Sequence, residues 1–190
     1  MALTGTRTRL RAVEPADAEA LYRWINDPEV TEYLSARYPT SLGEERAWAG
    51  RAAGHTGYAR VTLAIETLDG ELIGICLLRG QTPEDRTAEL SIDVGEKRHW
   101  GRGYGGDAVV TLLRFAFHEM NLRRVFLRVD APHRAAVGLY EKLGFRHEGK
   151  QRALHWTRGG AREVAVMAIL REEFDERHGA HEEVGDVPRG

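Results

Sequence analysis

An alternating run from Glu89 to Val94 gives way to Arg98-His-Trp-Gly101-Arg102-Gly103-Tyr104-Gly105-Gly106, and a helical pattern follows. Glycine carries no Cβ, so crowded glycines let backbone N–H groups close around an anion. The start of the next helix adds unpaired amides and a positive dipole end. The chemistry predicted from this spacing is phosphate binding. A Walker A loop would need Gly-Lys-Ser/Thr, and Gly105-Gly106-Asp107 has neither the lysine nor the Mg²⁺-binding hydroxyl, which excludes triphosphate hydrolysis. Gly101-x-Gly103-x-x-Gly106 fits the dinucleotide fingerprint literally, and Asp130 ends the next strand where a ribose-binding acid could sit. Against that ligand, six residues separate Val94 from Gly101, whereas a fingerprint glycine caps its strand directly.

The elements that must hold this loop can be read from period and punctuation. Thr6–Val13 reads as a strand, and Pro15 opens a helix with Ala18, Leu21, Tyr22 and Ile25 on one face. Asn26-Asp27-Pro28 stops it, a short segment Glu29–Leu34 follows, and Ser41-Leu-Gly-Glu44 has capping-box spacing for a helix running to Gly54. Val61, Leu63 and Ile65 alternate, Asp69-Gly70 signals a hairpin, and Leu72–Leu78 continues as a strand. After the loop, Val109, Leu112, Leu113, Ala116 and Met120 have helical spacing. Arg124–Val129 then reads as a strand, His133–Leu143 as a helix capped by Gly144, Phe145 as the start of a short strand, and Val164–Leu170 as the last strand. Hairpins therefore precede a βαβ-like half, and too little chain follows Asp130 for a doubly wound sheet.

Composition sets the outer bounds. The chain of 190 residues suits one domain, with a polar tail from Glu172 to Gly190 expected to dock loosely if at all. A net charge of −2 provides no general attraction to nucleic acid or to an anionic membrane. The one cysteine, Cys76, lies in an apolar run and reads as a small buried hydrophobe, so neither a disulfide nor a cysteine-based metal site is expected. His178-x-x-His181 in the polar tail is not read as a metal site either. With no signal-peptide pattern and no long apolar run, the expectation is a soluble cytoplasmic protein.

Arg98-x-x-Gly101-x-Gly103 is also the spacing of a coenzyme A pyrophosphate cradle, and its surroundings agree. Ala88-Glu-Leu, Trp100-Gly-Arg-Gly-Tyr-Gly, Phe115-Ala-Phe, Asn121-Leu-Arg-Arg-Val, Ala135-Ala-Val-Gly-Leu-Tyr140-Glu-Lys-Leu-Gly-Phe145 and Glu148-Gly stand in family-like order. Leu10-Arg-Ala-Val, Trp24-Ile-Asn-Asp-Pro-Glu-Val and Arg162-Glu163 before Met167 also fit. The chain resembles the GNAT superfamily of N-acetyltransferases over residues 7 to 171. Within it, the chain is most similar to the branch holding RimJ/RimL-type and spermidine acetyltransferases.

That resemblance implies an α/β GNAT-like fold: a central mixed, mostly antiparallel sheet with a splayed pair of strands, flanked by helices, as one domain over residues 1–171. It implies acetyl-CoA as acyl donor, without a metal, and direct attack by a primary amine in a ternary complex. Asp93, Val94 and Gly95 would touch the pantetheine arm. Arg98, Trp100, Gly101, Arg102, Gly103, Tyr104, Gly105 and Gly106 would hold the pyrophosphate. Tyr140 matches the family's general acid and would also touch the cofactor. His133 stands where relatives carry a cofactor-contacting asparagine, and an imidazole can donate a comparable hydrogen bond. Glu89 is the first candidate for general base, with Asp93 and Asp27 behind it. Trp24, Asp27, Glu29, Glu32 and Tyr33, with the segment Leu154–Gly160, would form the acceptor pocket, and carboxylates mixed with aromatics suit a cationic amine. The acceptor stays open between a peptide N-terminus and a small amine, and homodimers are common among relatives. The alternative class is a noncatalytic acyl-CoA-binding regulatory module of the same fold.

Overall fold

Alternation along the strands decides which faces are covered, and both are. In the computed structural model, which describes residues 2–34, 36, 38–54, 57–157 and 160–179, eight strands form one sheet. They are β1 (Leu3–Thr4), β2 (Thr8–Ala12), β3 (Arg60–Thr67), β4 (Leu72–Arg79), β5 (Thr87–Val94), β6 (Arg124–Asp130), β7 (Arg146–Thr157) and β8 (Gly160–Leu170). Their order is β1-β2-β3-β4-β5-β6-β8-β7. Every pairing is antiparallel except β5 with β6.

One face packs against α3 (Tyr104–Arg114), α4 (Arg134–Leu143) and α5 (Arg171–His178). Leu63, Ile65, Leu90, Leu112, Leu127 and Met167 belong to that core. A smaller cluster on the other face joins α1 (Ala18–Ile25) and α2 (Leu42–Gly54) to Ala64 through Leu21, Trp24 and Ala49. β3 is buried on both faces, which is why its sequence reads as a nearly continuous apolar run. The Asp69-Gly70 turn forms as predicted, with Gly70 at φ 86° and its amide donating to Thr67 O at 3.0 Å. The Ser41–Glu44 capping box is reciprocal: the Ser41 amide donates to Glu44 Oε2 (2.7 Å) and the Glu44 amide to Ser41 Oγ (3.2 Å).

Two expectations need correction. The short strand after Phe145 is the twelve-residue β7, paired to a β8 that begins at Gly160 rather than Val164. β7 is exposed along nearly its whole length, so no apolar alternation announces it. The chain after Leu170 is also not loosely docked over its described part. α5 buries Phe174 completely, its ring 5.3 Å from Phe117, and Asp175 Oδ1 lies 3.1 Å from His118 Nε2. One aromatic among seven polar residues is enough to seat the helix, and composition averages it away. His181 and the rest of the tail from residue 180 lie outside the described residues.

The feature that positions the site is where β5 and β6 stop pairing. Their parallel ladder covers only Thr87–Glu89 with Arg124–Phe126. β5 then runs on to Val94 and β6 to Asp130 without pairing to each other, leaving a strand edge open to added hydrogen bonds.

Candidate active site

Side chains from both strands close the inner end of this gap. Glu89 is the last ladder residue on β5, and Arg128 Nε and Nη2 donate to its two carboxylate oxygens at 2.8 and 3.1 Å. Arg79 Nε donates to the same group at 3.0 Å. Burial pushes the Glu89 carboxyl up, but the bonds from Arg128 and Arg79 outweigh it and hold the group below its ordinary value.

Further along β5, Asp93 shares this face but makes no such pair among the described residues. Burial pushes its carboxyl up to about 6. The backbone at Asp93 is held close to β4 by Gly74, where a Cβ would fall 2.2 Å from the Asp93 carbonyl oxygen. Gly95 serves a neighbouring purpose: a Cβ there would lie 2.1 Å from Trp24 Cδ2, so only glycine lets the indole rest on the strand end. The Gly95 amide donates to Ile73 O at 2.9 Å. Gly95 thus packs against Trp24 and β4 at the position where the resemblance implies contact with the cofactor arm.

The glycine loop is braced from three directions. Trp100 Nε1 donates to Val94 O at 2.7 Å, folding the loop back onto the end of β5. Glu71 pairs with the Arg98 guanidinium and contacts His99 Nε2 at 3.1 Å. Asp107, in the first turn of α3, accepts from the amides of Thr6, Arg7 and Thr8 at 2.9, 3.0 and 2.8 Å and from both threonine hydroxyls at 2.6 Å. Gly101 and Gly103 adopt φ of 69° and 85°, and Gly103 caps α3 in the left-handed region. The bond from the Asp107 amide to Gly103 O (3.0 Å) opens the helical ladder, so the amides of Tyr104, Gly105 and Gly106 face outward at its positive end. Gly106 also keeps α3 tight against α4, since a Cβ would meet Leu139 Cδ1 at 3.1 Å.

The two arginines expected at the loop differ. Arg98 is turned to Glu71, while Arg102 is exposed and makes no ion pair among the described residues. Arg7, which the sequence reading missed, lies beside the loop: its Nε would be 3.6 Å from a Cβ at Gly103. The only signal for it was its place between the two threonines that Asp107 clamps.

Tyr140, on α4, is buried in the core, its ring edge-on to Phe145 at 5.6 Å. Burial first, and then the charge of Asp93, push its phenol above the ordinary value, so it stays protonated at neutral pH. Tyr140 belongs to one face of the sheet and Asp93 to the other, and the gap brings them into electrostatic contact. His133 caps α4 and stacks on Tyr33 at 4.2 Å, and the Arg162 guanidinium lies over the Tyr33 ring at 5.0 Å. Burial lowers the His133 imidazole against the opposing charges of Glu32 and Asp130, which favours its neutral form.

On the face opposite α3 and α4, a cavity of about 200 Å³ reaches Asp93. Leu21, Trp24 and Ile25 of α1, Val30 and Leu34 of the next segment, Trp48 of α2 and Ile75 of β4 line it, together with Glu45 and Gly95. Of the five residues expected around the acceptor, Trp24 alone reaches this cavity. Asp27 and Glu29 both grip Lys97 Nζ at 2.8 Å, and that lysine holds the Asp27 carboxyl below its ordinary value. Glu32 lends its carbonyl oxygen to Arg162 Nη1 at 3.0 Å, and Tyr33 lies in the stack just described. Arg162 in turn faces the buried Asp130 at 3.5 Å, whose other oxygen meets His155 Nδ1 at 2.6 Å. Within the expected segment Leu154–Gly160, Arg158 and Gly159 lie outside the described residues.

A GNAT acetyltransferase domain profile matches residues 7–146. The chain belongs to the GNAT acetyltransferase family. Among its relatives, N-acetyltransferase p20 of Bacillus licheniformis is 29% identical over 177 residues, covering 88% of this chain and 95% of that one. The spermidine N(1)-acetyltransferase of Vibrio cholerae is 26% identical over 165 residues, covering 87% and 94%. The crystal structure of spermidine N-acetyltransferase from Vibrio cholerae in complex with CoA and spermine superposes with a TM-score of 0.80. It is 25% identical and covers 88% of this chain and 97% of that one. The splayed strands and glycine loop are thus those of a GNAT N-acetyltransferase, as the sequence motifs implied. No helix of the described residues is long and apolar enough to cross a membrane.

Proposed function

We propose that this protein moves the acetyl group of acetyl-CoA to a primary amine by direct attack in a ternary complex. The observation that carries the reading is the meeting of three features at one place: an unpaired β5 edge, a buried phenol and a carboxylate-tipped cavity. The residues fit coenzyme A. The outward amides at the start of α3, with Arg7 and Arg102 nearby, suit the pyrophosphate, and the open β5 edge suits an extended amide-bearing arm. His133, neutral and fixed by Tyr33, offers the arm a hydrogen bond where relatives use asparagine. Once bound, acetyl-CoA supplies the thioester carbonyl.

The amine enters from the α1–α2 side as an ammonium, and Asp93 holds it there. Asp93 also takes its proton, since a carboxyl raised to about 6 is ionised at neutral pH yet more basic than an ordinary aspartate. Glu89 is not carried forward as the base: two guanidiniums already bind its oxygens and lower its proton affinity. As nitrogen bonds to the carbonyl carbon and the C–S bond breaks, Tyr140 gives its proton to the departing sulfur. Held protonated by burial, it is a ready donor. The proposed setting is the cytoplasm, where the buried Cys76 thiol stays reduced.

The test is thiol release with acetyl-CoA and a panel of amines and peptide N-termini, together with Tyr140→Phe. We expect amine-dependent release in the parent and a loss of about 100-fold or more in kcat in the variant, with coenzyme A binding kept. Coenzyme A binding without thiol release from any acceptor would instead support the noncatalytic binding module.

A further inference from the structure

The walls of the acceptor cavity narrow the amine further, an inference that rests on the acetyl-transfer reading above. Asp93 stands at its end nearest the strand gap, and Trp24, Trp48, Leu21, Val30 and Leu34 make most of the remainder. An ammonium at Asp93 is matched by one carboxylate. A second cationic centre further out would be desolvated against leucine, valine and indole, which is costly. Glu45 is the other carboxyl in the wall. Burial and the neighbouring Glu44 both push its carboxyl up.

The acids that could have made this a polycation site face elsewhere. Asp27 and Glu29 are neutralised by Lys97, and Glu32 faces Arg162 at 3.9 Å. Size points the same way. A dry cavity of about 150 Å³ accepts benzene, and this one is about 200 Å³.

We propose that the acceptor is a primary monoamine carrying an apolar body the size of one aromatic ring on a short linker, rather than a polyamine or a polar peptide end. The ring sits between Trp24 and Trp48, and the ammonium meets Asp93 at the mouth of the gap.

The full-length protein would be assayed by thiol release with 2-phenylethylamine, spermidine and an N-terminal peptide. The expected result is a kcat/KM for 2-phenylethylamine about tenfold or more above the other two. A preference for spermidine or the peptide overturns the proposal. Leu34→Asp adds a carboxylate to the far wall from a half-buried surface segment, and should shift the ratio of 2-phenylethylamine to spermidine about tenfold toward spermidine. An unchanged ratio in a folded Leu34→Asp protein also overturns it. Intrinsic fluorescence provides an arm independent of turnover, because Trp24 and Trp48 line the cavity. If no amine releases thiol, the acetyl-transfer reading fails. Saturable quenching by 2-phenylethylamine at concentrations where spermidine gives none would still uphold the cavity assignment, and equal or absent quenching would refute it.

Discussion

Asp93 and Tyr140 illustrate how one gap in a sheet couples two titrating groups that begin on opposite faces. Asp93 has a folded proton affinity near 6 against an ordinary 3.8. A carboxyl whose value is raised by folding favours the fold when protonated. Its contribution is full below about pH 4 and lost as pH rises through about 6. Asp93→Asn should therefore stabilise the protein by about 3 kcal/mol at pH 8, from roughly two units at 1.4 kcal/mol each, and by almost nothing at pH 3.5. Thermal melts at the two pH values measure this, and equal gains at both would contradict it. The same variant should lose the rise in kcat/KM that the parent shows as pH passes through about 6. Motif text located Tyr140, the glycines and His133. It did not reveal Glu89's two guanidinium partners, because Arg79 and Arg128 are 10 and 39 residues away in sequence and meet it only through strand register.

Among the elements, the segment from Asp27 to Leu34 is the one most shaped by distant contacts. Lys97 ties its start to the loop before α3, and Arg162 ties its end to β8. It forms turns rather than a helix, and its acids serve as anchors rather than as a substrate surface. Arg162→Ala removes a hydrogen bond and a cation–π contact, and should raise KM for the amine about fivefold with little change in the affinity for acetyl-CoA. Steady-state kinetics in each substrate separate the two effects, and a matched loss in both would relocate the role of Arg162. The strands around the glycine loop were legible because each alternates with one face in a core. β7 was not, since both its faces meet water, and α2 gave no hint that Trp48 would close a cavity with α1. Period reports burial, and says little about which partner does the burying.

At the scale of the whole molecule, the sheet carries a large core on one side and a small one on the other, and a polar last helix seals the larger. Phe174→Ala should cost about 3–5 kcal/mol, seen as a lower urea midpoint, because a fully buried ring leaves a cavity under α5. Tail composition alone would predict no effect. Asp107→Ala should destabilise by about 3 kcal/mol or more, since three amides and two hydroxyls lose a charged acceptor together. Calorimetry of coenzyme A binding should show the same change weakening the complex, and unaltered affinity would separate the clamp from the loop.

The bracing of that loop limits how far it can be moved. Its curvature is held by Asp107 reaching back to residues 6–8, by Glu71 on the hairpin before β4 and by Trp100 on the end of β5. An engineer who transplants Arg98–Gly106 into another scaffold would carry the glycines and leave the scaffolding behind. The transferable part is a discontinuous set of three chain segments, and a graft that omits any of them should arrive as an ordinary flexible turn.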